Sequence, residues 1–316
     1  MMSEDVVLPH DPVPWLMAQE GLPAVRARRL LGLDGVGDEE VVAALADEQG
    51  VDGSFSHSPM KTAGVLNLLD DLSAGGAEDV IVAGASYLFS VLRSQPGYER
   101  ARCVAPGSLN EPWDLCGFFG PYADRALPEV MAHGAREMNH LRAYEPLLGP
   151  KSPVRAVRRS SLDRAGPSSC YAWGLIPLAY TVEALCRAGH AGDERLQPAI
   201  HALLGAQRKS GGWCRNLDGD LPCTMYPLRV LGAHPTLGKS VHAERVLQFL
   251  HPVRWRGSTL FAGLQAVAAF DHPLARQIIH DGLAALVPKQ RKNGTFGTPC
   301  PIERVAAVLV ARRAMQ

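Results

Sequence analysis

Four cysteines in this chain open segments of one kind. Cys116 begins CGFFG and Cys170 begins CYAWG, both Cys-x-aromatic-x-Gly, while Cys223 begins CTMYP and Cys300 begins CPIER. Each stands where a helical pattern starts. A helix N-terminus exposes unpaired N–H groups and a partial positive charge. That environment lowers a thiol's pKa and favours the thiolate, the form that attacks electrophiles and binds zinc. Cys214 lies just before Cys223, and His57 occupies the equivalent level before an earlier helix. Sulfur and imidazole drawn from Cys116, Cys170, Cys214, Cys223, Cys300 and His57 suit a tetrahedral Zn2+ site. The spacing is not that of a CxxC pair. The alternative is that these thiols are small apolar filler, the reading given to Cys103 and Cys186.

Only a fold can bring residues so far apart together, and a second repeat indicates which. Gln49 to Phe55 reads QGVDGSF, Gln207 to Trp213 reads QRKSGGW, and Gln290 to Phe296 reads QRKNGTF. Each is Gln, three residues, Gly, one residue, then an aromatic. Each follows an amphipathic segment and precedes a new apolar one, which is the punctuation of a helical array. Apolar spacing predicts helices over 12–18, 22–31, 39–49, 60–72, 77–94, 171–188, 193–207, 224–231, 243–251, 260–270, 274–287 and 301–314. Alternating strand patterns are nearly absent, and Gly and Pro gather between the periodic segments. Residues 95–115 and 143–169 read as long loops. The expected fold is all-α: residues 1–36 form a helical preface, and 37–316 form one domain of about six helical hairpins. If inner and outer helices alternate, every inner helix runs the same way, and their N-termini, with the cysteines, converge at one mouth.

The bulk numbers narrow the function classes. The 316 residues are 47% hydrophobic and 20% charged, ordinary for a globular chain with a large core. Lys plus Arg and Asp plus Glu each number 32, and no basic block argues for nucleic acid as a partner. No stretch is long and apolar enough to span a bilayer. The start, MMSEDVVLPHDPVPW, lacks the basic and then apolar pattern of a secretory signal. The expectation is a cytoplasmic protein whose seven cysteines are thiols or metal ligands.

The Gln-x3-Gly-x-aromatic repeats resemble those of the terpenoid cyclase and protein prenyltransferase superfamily, over residues 39–314. The resemblance implies an α/α-toroid, a barrel with inner and outer rings of helices around an apolar cavity that holds an isoprenoid chain. The nearer likeness is to protein prenyltransferase β subunits, whose zinc motif is Asp-x-Cys at an inner-helix start with a later His. Asp114-Leu115-Cys116 matches Asp-x-Cys. Cys170-Tyr171-Ala172-Trp173 is similar to the motif's continuation, with Ser168 in place of the Asp. The stretch from Gly211 to Leu231 is similar to the loop leading to the zinc cysteine, here Cys223, with Asp220 one residue too far from it. Cys300 stands where the later His belongs. On this likeness Asp114, Cys116 and Asp220 are the candidate catalytic residues.

A prenyl diphosphate needs cations and helix-end N–H groups close together. Arg155, Arg158 and Arg159 precede Cys170, and Arg215 precedes Cys223. Tyr171 and Trp173 offer π faces to the chain or to a carbocation. A solvated surface for the arginines and core packing for the aromatics are the plainer alternatives. The leading expectation is therefore an isoprenoid-processing enzyme, assisted by zinc-bound thiolate, whose partner is an isoprenoid diphosphate or other hydrophobic small molecule. The likeness leaves open whether a second subunit is needed. Two alternatives stand beside it: a small terpene cyclase driven by an Asp acid, and a non-catalytic toroid that binds a lipid or partner and carries a structural metal.

Overall fold

A computed structural model describes residues 6–33, 38–57, 59–72, 75–93, 178–213, 221–251, 258–297 and 300–316. These residues are mostly helical, without a strand among them. In chain order the helices are α1 (Val13–Met17), α2 (Leu22–Leu30), α3 (Asp38–Glu48), α4 (Pro59–Asp71) and α5 (Glu78–Arg93). Next come α6 (178–190, ending in the π-helical turn Cys186–His190), α7 (Gln197–Gly205) and α8 (Leu221–Ala233). The last four are α9 (Val241–Leu250), α10 (Ser258–Val267), α11 (Pro273–Leu286) and α12 (Ile302–Arg313). Where the expected helices fall on described residues they are present, with ends shifted by at most about a turn. The largest shift is at α7. Asp193 Oδ1 accepts from the Arg195 N–H and holds 193–196 as a separate turn, so the helix begins beside Pro198.

The helices pack in a series. α2 lies against α4, α4 against the end of α6, and that end against α8. The series continues from α8 to α10, from α10 to α12, and from α12 back to α2. Four odd-numbered helices lie against even-numbered ones: α1 on α2, α5 on α4, α9 on α8, and α11 on both α10 and α12. α2 therefore sits in the series, with α1 against it. One large apolar cluster runs through it, from Leu8 and Leu16 by way of Leu88, Leu185 and Trp213 to Leu309.

The repeated motif is a staple with one geometry. Gln49 Nε2 donates to the carbonyls of Gly53 (3.0 Å) and Val80 (2.9 Å). Gln207 Nε2 donates to those of Gly211 (2.9 Å) and His242 (2.9 Å). Gln290 Nε2 donates to those of Gly294 (3.2 Å) and His10 (2.7 Å), and its Oε1 accepts from the His10 N–H (3.0 Å). In each case one bond closes the motif's own turn and the other reaches a separate segment. Val80 and His242 lie in the first turns of α5 and α9, whereas His10 belongs to the segment that leads into α1. The motif's glycine has φ of +81°, +98° and +82° at Gly53, Gly211 and Gly294. A Cβ there would come within 2.2 Å of the Ala83 carbonyl oxygen, 2.1 Å of the Arg245 one, and 2.6 Å of Pro12 Cα. Glycine is required twice over, by the left-handed backbone and by the contact of backbone on backbone.

Gln207→Ala removes both donor bonds and leaves two part-buried carbonyls without them, so unfolding free energy should fall by about 2 kcal/mol. Gly211→Ala should cost about 3 kcal/mol or more, because strain and overlap add. Urea unfolding midpoints of the two variants measure both.

Candidate functional site

Most of the residues expected to do chemistry lie outside the described residues: Asp114, Cys116, Arg155, Arg158, Arg159, Cys170, Tyr171, Trp173, Cys214, Arg215 and Asp220. The expected loops 95–115 and 143–169 lie there too. Cys223 is the third residue of α8. Pro227 sits one turn further on and has no N–H, so the Cys223 carbonyl lacks its usual helical donor.

Cys300 and His57 both follow a staple and precede an even-numbered helix, as their spacing suggested. Cys300 Sγ accepts the Phe296 N–H at 3.3 Å and lies 3.5 Å from the Pro301 carbonyl. The other two staples make the same bond with a hydroxyl: Thr62 Oγ1 takes the Phe55 N–H (2.9 Å) and Thr224 Oγ1 takes the Trp213 N–H (3.3 Å). Cys300 is thus the thiol member of a Thr, Thr, Cys set that fastens each aromatic to the helix after it. Its pKa departs from the expected direction. Burial pushes the thiol up, and the Phe296 N–H and Arg304 only partly oppose this. The cysteine stands two residues before α12 and is half-buried, so desolvation outweighs the helix end.

His57 is exposed, with Nδ1 3.1 Å from Asp52 Oδ2 and 3.4 Å from Ser54 Oγ. Ser54 Oγ donates to Asp52 Oδ1 at 2.6 Å. Its hydroxyl, chiefly, and its N–H hold the Asp52 carboxyl down at about 2. Carboxylate, imidazole and hydroxyl are the components of a nucleophilic triad, but the order is wrong. The serine proton points at the carboxylate, and a single ring nitrogen faces both partners, so no base is placed to activate the hydroxyl. In the third staple Asn293 Oδ1 binds the Thr295 hydroxyl (2.7 Å) and N–H (3.3 Å) in the same way, without a histidine. The arrangement is turn chemistry. Ser56 and His57 both have positive φ (54° and 52°), and the Tyr87 hydroxyl holds the His57 carbonyl at 3.0 Å. Among the described residues no three His, Cys, Asp or Glu side chains converge as metal ligands.

A different polar cluster, not anticipated from the sequence, joins four consecutive members of the helix series. Arg26 of α2 donates to Asp71 at the end of α4 (Nε to Oδ2, 2.6 Å). Asp71 also binds Arg187 of α6, whose guanidinium reaches Asp70 at 2.6 Å and lies 3.8 Å from Glu183. Glu183 Oε1 in turn accepts two bonds from Arg229 of α8, at 2.7 and 2.9 Å. Asp71 and Glu183 are almost fully buried. Burial alone would raise the Asp71 pKa, but Arg26 and Arg187 outweigh it and hold the carboxyl below its usual range. Burial would also lower Arg187 and Arg229, and their carboxylates overcome it, so both are held above their usual values. The helical spacings Glu183–Arg187 and Asn67–Asp71, set in otherwise apolar segments, were the available signal.

Burial also pushes Glu303, in the first turn of α12, upward, opposed by backbone N–H and by Arg26. The Cys186 thiol is buried and pushed up to about 12, by burial first and then by Glu183.

No protein-family model, curated protein or solved structure matches the chain.

The depressed Asp71 pKa has a defined sign. Its stabilisation is fully present above the unfolded value, near 3.8, and is lost as pH falls through the lower folded value. Asp71→Asn leaves two part-buried guanidiniums short of a carboxylate and should cost about 3 kcal/mol at neutral pH. The variant should also lose part of the stability decline seen below about pH 4 in the parent. Thermal unfolding of both chains between pH 2.5 and 7 measures the two effects.

Proposed function

We propose that the chain is an α/α-toroid of the terpenoid cyclase and protein prenyltransferase type, and that it processes an isoprenoid held inside the ring. The even-numbered helices are the inner ring, and the odd-numbered ones the outer. One observation carries this reading: three staples of a single design, the last of which fastens to the segment before α1, in a helix series that returns to its start. In such a ring the starts of α4, α8 and α12 share one mouth with the segments that open at Cys116 and Cys170. A prenyl diphosphate would present its leaving group there to Arg155, Arg158, Arg159 and Arg215, with Tyr171 and Trp173 along its chain. Asp114, Cys116 and Asp220 remain the proposed catalytic residues.

Zinc-bound thiolate is the proposed means of keeping a sulfur nucleophile deprotonated at neutral pH. Of the six expected ligands, Cys300 is a half-buried thiol occupied in its staple, and His57 turns one ring nitrogen to Asp52. The Cys300 thiol is thereby spent on a backbone bond, whereas a histidine that gives one ring nitrogen to a carboxylate keeps the other for a metal. The proposal therefore rests on Cys116, Cys170, Cys214 and Cys223, with His57 as the imidazole ligand.

The cyclase alternative requires a protonated carboxyl to start the cation. Asp70 and Asp71, two adjacent acids at the end of α4, both bind Arg187, and Asp71 is held below the usual range. Asp71 therefore does not offer that proton.

Purified protein should bind farnesyl or geranylgeranyl diphosphate and release diphosphate when an acceptor is supplied. Metal analysis should find one zinc per chain, lost in Cys116→Ser or Cys223→Ser variants that keep their helical circular dichroism. Binding without turnover, whatever the acceptor, would leave the non-catalytic alternative. No binding of either diphosphate would remove the prenyl diphosphate as substrate.

A further inference from the structure

The buried chain of ion pairs leaves two polar side chains unmatched. Asn67 is 1% exposed, and neither its Oδ1 nor its Nδ2 has a hydrogen-bond partner among the described residues. Glu183 spends Oε1 on Arg229, while its Oε2 is buried and equally without a partner. A buried polar group left unmade costs about 1–3 kcal/mol, more when charged. Two such groups in one neighbourhood therefore point to something that completes them.

The register puts them in the same neighbourhood. Asn67 is one turn before Asp71 on the same face of α4, and Glu183 is one turn before Arg187 on the same face of α6. Asp71 and Arg187 are bonded to each other, so each unmatched group lies one helical turn from the ion pair that joins the two helices.

The chemistry of the completing group follows from what is offered. Asn67 presents a donor and an acceptor, and Glu183 presents an acceptor that carries negative charge. A diphosphate has only acceptor oxygens when ionised and would face that carboxylate. The three arginines of the cluster already bind Asp70, Asp71 and Glu183. A hydroxyl both gives and receives. It can donate its hydrogen to Glu183 Oε2 and accept an N–H from Asn67 Nδ2.

We propose that Asn67 and Glu183 form a buried subsite for the hydroxyl of an alcohol. Resting on the isoprenoid reading above, that alcohol is an isoprenoid alcohol, bound as substrate or product. Arg187 and Arg229 are positioning residues, which fix the Glu183 carboxylate so that Oε2 faces the subsite.

Three probes of equal chain length test this by calorimetry on the full chain: farnesol, the hydrocarbon farnesene, and farnesyl diphosphate. Farnesol should bind at least about tenfold more tightly than farnesene, the size expected for a hydrogen bond to a charged group. Asn67→Ala leaves every ion pair in place. It should erase that margin while keeping farnesene affinity and melting temperature unchanged, or raising the latter.

Equal affinity for farnesol and farnesene in the unaltered chain overturns the subsite, with Asn67 satisfied by an internal water only. The isoprenoid reading survives in that case, because farnesene binds. A margin that persists in Asn67→Ala, or an Asn67-dependent margin for the diphosphate as large as for the alcohol, also overturns it. If none of the three probes binds, the subsite and the isoprenoid reading fall together. The unaltered chain supplies the first comparison, so a variant that fails to fold does not spoil the test, and Asn67→Ser serves as a second variant.

Discussion

A glutamine side chain that binds two backbone carbonyls at once holds this architecture together. Helical hairpins have little to say to one another beyond apolar contact, which is not directional. The amide of Gln49, Gln207 or Gln290 supplies direction. It ties the end of one hairpin to a defined backbone atom of a separate segment, and the glycine four residues on lets the two backbones touch. The third staple grips the His10 segment rather than a later helix. The N-terminal segment thereby takes the place that α5 and α9 occupy for the other two, and the two ends of the described chain meet.

The staples also decide what becomes of the residues just after them. Each aromatic N–H needs an acceptor, and Thr62, Thr224 and Cys300 provide it in turn. A cysteine at a helix start has two opposing influences on its thiol, the dipole that favours thiolate and the burial that opposes it. At Cys300 burial wins, since the sulfur is spent on packing and on a backbone bond. The same competition applies to every cysteine of this set, and exposure at the helix end decides it.

Polar side chains between the even-numbered helices form a chain of charges that alternates in sign. Such a chain is costly to desolvate and is not a reason for the fold to be stable. It does constrain chemistry. Arginines bound to carboxylates on both sides do not serve a second anion well, and a carboxylate held ionised does not serve as an acid. The groups this network leaves unmatched, Asn67 and Glu183 Oε2, are more informative than those it satisfies.

Helix positions and the staple turns were legible in the sequence, because both depend on local patterns: apolar spacing, and Gln, Gly and aromatic at fixed offsets. The helix-start placement of Cys300 and His57 was legible for the same reason. The direction of the Cys300 pKa was not, since it depends on how deeply neighbouring elements bury the sulfur. Nor was the Arg26–Asp71–Arg187–Glu183–Arg229 chain, whose members come from four separate helices. Spacing shows which residues share a helix face but not which face of another helix arrives opposite. The sequence by itself determined the all-helical character, the hairpin boundaries and the residues that make each turn. Only the tertiary structure decided which carbonyl each glutamine grips and which charges meet, because those choices belong to contacts between segments distant in the chain.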